Sequence, residues 1–162
     1  MGKLYVRVDD RLIHGQTIVA WCPTLGIQEI IAVDDVSAAN PMLKSILTMG
    51  VPKNYKTSIV TTQEAKKLLR EGSDQTRLLI VKFPQKLQEL KEEIAGCERL
   101  ILGNLAKRPE MVHKVSGATG IFYLSDSDVE ILDGLAQSGV DIVFHQLPTS
   151  AKTAWKDFKA TL

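Results

Sequence analysis

Short apolar runs recur along the chain, separated by stretches in which apolar positions return every three or four residues. Leu4–Val8 (LYVRV), Glu29–Val33 (EIIAV), Thr57–Val60 (TSIV), Leu78–Phe83 (LLIVKF), Arg99–Leu102 (RLIL), Gly120–Leu124 (GIFYL) and Val140–Leu147 (VDIVFHQL) have the content of strands. The nearly continuous LLIVKF run suits a strand covered on both faces. Thr17–Cys22 reads as a first helix, which Pro23 forces to kink or stop near Trp21-Cys22. Asn40 before Pro41 reads as an N-cap. Met42, Leu43, Ile46 and Leu47 then form an apolar stripe, and Gly50 and Pro52 end the helix. Thr61 and Glu64 read as a capping box ahead of Ala65, Leu68 and Leu69, with Gly72 closing the helix. Pro84 opens a helix carrying Leu87, Leu90 and Ile94, ended by Gly96. Ser125 caps another, carrying Val129, Leu132, Leu135 and Ala136, ended by Gly139. Residues 103 to 116 read as irregular. Pro148-Thr149-Ser150 leads into a short helix with Ala154, Trp155 and Phe158. This alternation predicts an α/β fold: a single domain over residues 1–162, with a doubly wound, mainly parallel sheet and helices on both faces. The pattern leaves open an antiparallel edge strand near the C-terminus, with Val140–Leu147 as the candidate.

Composition narrows the function classes. A chain of 162 residues favours one domain with its own core. Lys and Arg number 20 against 19 Asp and Glu, a balance that argues against nucleic acid as a partner and against a polybasic membrane anchor. The opening MGKLYVRVDD carries no apolar run of signal-peptide length, and no stretch approaches a membrane span. Val6 stands where a myristoylation signal needs Ser or Thr. Cys22 and Cys97 lie far apart in or beside apolar segments, which reads as buried free thiols in a reducing compartment. Phosphate-loop, dinucleotide, nucleophile-elbow and zinc-protease motifs do not occur.

Ligands of open α/β sheets bind beyond the carboxyl ends of the strands. The first such loop here is Asp9-Asp10-Arg11-Leu12-Ile13-His14-Gly15-Gln16. A neutral imidazole is nucleophilic and a protonated one leaves well, so His14 can accept a phosphoryl group and release it near neutral pH. Arg11 offers a fork of donors for phosphate oxygens, Gly15 permits close approach of backbone N–H groups, and Gln16 adds a side-chain donor. Asp9 or Asp10 could orient the imidazole, as acidic partners do in catalytic triads, though at most one should point inward beside a phosphate. The residues alone favour a surface or capping histidine among ordinary turn carboxylates.

The segment Val6–Cys22, VRVDDRLIHGQTIVAWC, closely resembles the active-site segment of the enzyme-IIB subunits of the bacterial sugar phosphotransferase system, mannose/fructose/sorbose class. That family opens with a strand, then D-D/E-R-L-I-H-G-Q, then an apolar helix containing A-W or a close variant. Ile30–Asp35 (IIAVDD) resembles the family's second strand, and Pro148-Thr149-Ser150 lies where the family has a late turn containing proline. The segment Gly103-Asn104-Leu105-Ala106-Lys107 stands where many members carry a glycine pair, which leaves the parts of Asn104, Lys107 and Arg108 open. The resemblance implies that His14 is the phosphohistidine. It would be charged by a phosphorylated IIA and discharged to a sugar held by the membrane subunits IIC and IID. Asp10, Arg11, Gly15 and Gln16 would bind or orient the phosphate. It also implies a cytoplasmic protein, peripherally associated with the transporter, frequently a homodimer, with no metal or organic cofactor.

The other histidines read differently. His145 lies in a strand pattern and reads as a packed residue. His113, with Lys107, Arg108 and Lys114, reads as a solvated face. Trp21 and Trp155 read as core or interface anchors. Leu12, Ile13 and Trp21 are candidates for the apolar part of a flat docking face, against burial in the core. Two other functions stay in view. One is a regulatory binding protein that uses the same phosphorylatable histidine; the other is a small phosphatase or nucleotide-binding α/β protein.

Overall fold

The computed structural model of the chain describes residues 2–15 and 17–162. Strands β1 (Leu4–Asp9), β2 (Glu29–Val33), β3 (Lys56–Val60), β4 (Arg77–Val81) and β5 (Arg99–Asn104) follow the predicted alternation. Two-residue strands β6 (His113–Lys114) and β7 (Tyr123–Leu124) come next, then β8 (Ile142–His145) and β9 (Lys152–Ala154). The main sheet has the order β3-β2-β4-β1-β5-β8-β9. All its pairs are parallel except β8 with β9. Central β1 has Val6 opposite Leu79 on one side and Leu100 on the other.

The helical segments are a π-helical turn (Thr17–Trp21), α1 (Cys22–Leu25), α2 (Asp35–Ala38), α3 (Pro41–Met49), α4 (Thr62–Glu71), α5 (Pro84–Glu89), α6 (Asp126–Gln137) and α7 (Trp155–Lys159). They cover both faces, because successive strand residues point to opposite sides. Val6, Val8, Leu79, Val81, Leu100 and Leu102 meet Ala65, Leu87, Leu132 and Phe158 on one side. Ile30, Ala32, Ile59, Leu78 and Ile80 meet Leu12, Ile18, Cys22 and Leu47 on the other. The capping boxes at Thr61/Glu64 and Ser125/Asp128 are both formed, and Asn40 accepts from the Met42 and Leu43 N–H groups.

Four local expectations are made specific or corrected. Of the two outcomes expected at Trp21-Cys22, a kink or a stop, the helix does not stop but changes there from π to α. The wide π turn passes into α1, where proline occupies the first turn; Gly26, at φ 67°, ends it. Val140–Leu147 shrinks to β8 and runs parallel to β5. The antiparallel edge strand is β9, whose short, mixed Lys-Thr-Ala sequence carries no strand signal. Gly120–Leu124 shrinks to β7, which pairs with β6 outside the main sheet, so residues 103 to 116 are not wholly irregular. In the α3 stripe Met42 and Ile46 face solvent, while Leu43 and Leu47 are half-buried.

Candidate functional site

β1 is the central strand, and its alternation sets the site. Val6 and Val8 point to one core, so Arg7 turns to the opposite face, beneath the Trp21 ring, with the Asp9 carboxylate 3.6 Å from its guanidinium. Both charged side chains are buried, at 2% and 0% exposure. Arg7 donates to the carbonyl oxygens of His145 (3.3 Å) and Gln146 (3.1 Å), and Trp21 Nε1 donates to the same Gln146 oxygen at 2.8 Å. A Cβ on Gly103 would stand 2.1 Å from the Arg7 Cζ, so the glycine in β5 makes room for the guanidinium. Burial lowers Arg7 to about 10, which leaves it charged at neutral pH. Burial likewise pushes the Cys22 thiol up to about 12, in keeping with an unreactive core cysteine.

The chain then turns sharply. The register of β1 against β5 shifts between Val8 and Asp9, and the Leu12 N–H closes a turn onto the Asp9 carbonyl at 2.9 Å. Leu12 has φ 61°, the only left-handed non-glycine among the described residues, and it is fully buried. A branched side chain in that region is strained, and the anchoring of Leu12 among Ile18, Cys22 and Ile30 holds it there. The reversal leaves His14 half-buried at the rim. Its carbonyl accepts the Ile18 N–H at 3.2 Å, which ties the histidine to the π turn.

The loop carboxylates are engaged away from the imidazole. Asp9 Oδ1 accepts the Arg11 backbone N–H (3.0 Å) and Nε–H (3.4 Å). Asp10 accepts from the Asn104 side chain and from the Ala106 N–H (2.9 Å), and so fastens the loop to the end of β5. Asp10 thus supports the loop, and Asp9 holds Arg11. Arg11 Nη1 lies 3.3 Å from His14 Nε2. A guanidinium only donates, so it meets the lone pair on that nitrogen. Gly15 is exposed: a Cβ there would meet nothing within 4 Å, and its φ is not left-handed. Neither packing nor backbone conformation calls for a glycine at this place. Gln16 falls outside the described residues.

Of the three open β5-loop residues, Asn104 is buried against Asp10 and Lys107 is exposed. Arg108 lies 4.3 Å over the Phe83 ring and pairs with Glu110. His113 pairs with Asp126 at 2.7 Å. Leu12 and Trp21 are buried, so of the three docking-face candidates only Ile13 is partly exposed; Val19, at 76% exposure, is the open apolar side chain of the π turn. The residue the sequence reading missed is Arg7. Its signal was a charge two positions before Asp9 on what became the central strand.

His145 is packed as expected, edge-on to Trp21 at 4.9 Å, with Nε2 3.2 Å from the Ser150 carbonyl. Burial lowers its pKa below 6.5. The unfolded chain takes up a proton near pH 6.5 while the folded chain resists, so stability falls as pH drops below that value. His145→Gln is expected to flatten the melting-temperature curve from about pH 6.5 downward. Thermal scans of both proteins across that range check it, and an unchanged slope would assign the effect elsewhere.

Comparison with known proteins defines the class. Residues 4–161 match the family described as PTS system sorbose subfamily IIB component. The chain is 26% identical over 156 residues to the PTS system fructose-specific EIIB component of Bacillus subtilis, covering 93% of this chain and 91% of that protein. It is 25% identical over 156 residues to the mannose-specific EIIAB component of Escherichia coli, covering 93% of this chain and 46% of that longer protein. The crystal structure of the IIB domain of the sorbose permease from Klebsiella pneumoniae shares the fold, with a TM-score of 0.84 at 21% identity over 100% of this chain and 99% of that one. The chain belongs to the sorbose-subfamily IIB components of the bacterial sugar phosphotransferase system.

Proposed function

We propose that the protein carries a phosphoryl group on His14, taken from phosphorylated IIA and passed to a sugar held by the IIC and IID membrane subunits. The observation that carries this reading is the pairing of a half-buried imidazole with the Arg11 guanidinium, 3.3 Å from its Nε2, on a loop fixed to the central strand. In the first step a P–N bond to the donor histidine breaks as a P–N bond to His14 forms. In the second, the P–N bond on His14 breaks as a sugar hydroxyl oxygen takes the phosphorus and gives up its proton. The protein positions the group and supplies positive charge to its oxygens. Arg11 is the charge donor, Gly15 leaves room for the approach, Gln16 adds a side-chain donor by its residue type, and Asp10 keeps the loop in place. Association with the membrane runs through IIC and IID; no described helix is long and apolar enough to cross a bilayer. The sugar is selected by those subunits.

The test is to incubate the chain with enzyme I, HPr, a matching IIA and phosphoenolpyruvate, and to map acid-labile phosphate by mass spectrometry. One phosphoryl group on His14, discharged by sugar in vesicles bearing IIC and IID, supports the reading. Phosphate that stays on the protein with active IIC–IID and each candidate sugar favours the regulatory alternative. The open space at Gly15 gives a sharper expectation. Gly15→Ala should keep its melting temperature within about 1 °C and yet slow phosphoryl acceptance about fivefold, because its methyl projects into the approach path. An unchanged rate from phosphorylated IIA would show that the approach lies elsewhere.

A further inference from the structure

Arg7 lies between apolar register partners, Ile80 on β4 and Ile101 on β5. Its guanidinium is 2% exposed, 5.5 Å from the Trp21 ring centre, over the gap left by the missing Gly103 side chain. A buried guanidinium costs several kcal/mol in lost hydration unless partners compensate. The compensation here is incomplete as packing alone, because Nε has no hydrogen-bond partner.

The remaining partner explains the cost. Arg7 Nη2 lies 3.6 Å from Asp9 Oδ2, itself a buried oxygen without a hydrogen bond. The other Asp9 oxygen holds Arg11 through its backbone N–H at 3.0 Å and its Nε at 3.4 Å, and Arg11 faces His14. Asp9 thus stands between one guanidinium beneath the site and another at its surface. The signs alternate from core to rim (positive, negative, positive), and an anionic group on His14 would continue the series. The carbonyl contacts to His145 and Gln146 also fasten the end of β8 to the same unit.

We propose that Arg7 is a positioning residue for phosphoryl transfer: it holds Asp9 from beneath, so that Asp9 fixes the Arg11 guanidinium against His14. This rests on His14 being the phosphoryl carrier. Arg7 touches neither the imidazole nor the transferred group, so its effect must pass through Arg11.

That requirement makes it testable by a double-mutant cycle on the full chain. Single-turnover phosphorylation by IIA is measured for wild type, Arg7→Met, Gly103→Ala, Arg11→Ala, Arg7→Lys and the two double variants that add Arg11→Ala. Gly103→Ala displaces the guanidinium without changing any charge, and it serves the same cycle if Arg7→Met fails to fold. Arg7→Met and Gly103→Ala should each slow transfer about tenfold in the wild-type background, and less than about twofold once Arg11 is alanine. Arg7→Lys should recover most of the rate, since it restores a cation beneath Asp9. Equal losses in both backgrounds, or no loss in either, would overturn the proposal in a chain that carries phosphate on His14. Absence of phosphate from wild-type His14 would instead overturn the carrier reading, and the proposal with it.

Discussion

His14→Ala is expected to abolish phosphoryl acceptance from IIA, a loss of at least about a thousandfold in rate, while the protein stays folded. The loss is total in kind because no other group in the loop can form the P–N bond. Arg11 is a donor without a lone pair, and Asp9 and Asp10 offer oxygen rather than nitrogen, Asp9 being fully buried and Asp10 engaged by Asn104 and Ala106. The other histidines cannot substitute. His145 is packed against Trp21, and His113 pairs with Asp126 on the small β6–β7 hairpin side of the molecule. The fold survives because the loop is anchored by Leu12 and by the backbone bonds of Asp10 and Ile18 rather than by the imidazole. A half-buried side chain at a loop rim contributes within about 1 kcal/mol. Acid-labile phosphate measured beside the melting temperature separates the two effects. A phosphorylated His14→Ala chain would place the carrier on another residue.

Arg11→Ala should slow transfer about a hundredfold, the typical cost of removing one preorganised donor from a developing anionic centre. The guanidinium already stands 3.3 Å from the ring nitrogen, so it needs little reorganisation to reach oxygens on a phosphoryl group there. Its contribution to folding is small by comparison. The Arg11 side chain is 36% exposed, and solvent screens its 3.4 Å pair with Asp9, which keeps that pair below about 1 kcal/mol. Asp9 also retains the Arg11 backbone N–H at 3.0 Å in the variant. Arg11→Lys should fall between wild type and alanine, since it keeps the charge and loses the fork. Rapid-quench transfer from IIA measures all three. A rate for Arg11→Ala within twofold of wild type would remove Arg11 from the reaction.

The route to the site was legible in local chemistry. The D-D-R-L-I-H-G-Q string after a strand pointed to one loop, and the structure brings Arg11 and His14 of that loop together. Periodicity located the five N-terminal strands to within two residues at each end, and capping chemistry located the starts of α3, α4, α5 and α6. It missed β9, where three residues carry too little pattern. It placed the irregularity at Trp21-Cys22 but not its form, a π turn passing into an α turn.

What the sequence determined by itself was whatever depends on neighbours along the chain: the β/α alternation, the helix caps, the doubly wound class, and the residue types gathered in one loop. Tertiary structure alone decided the partners. Asp10 turned out to serve Asn104 and Ala106, nearly a hundred residues away, because β5 lies beside β1. Arg7 turned out to be buried because β1 is the centre of a sheet covered on both faces, whereas an alternating strand on its own reads as having one face in water. Burial and charge pairing depend on which strands become neighbours, and that choice is a property of the whole chain's packing.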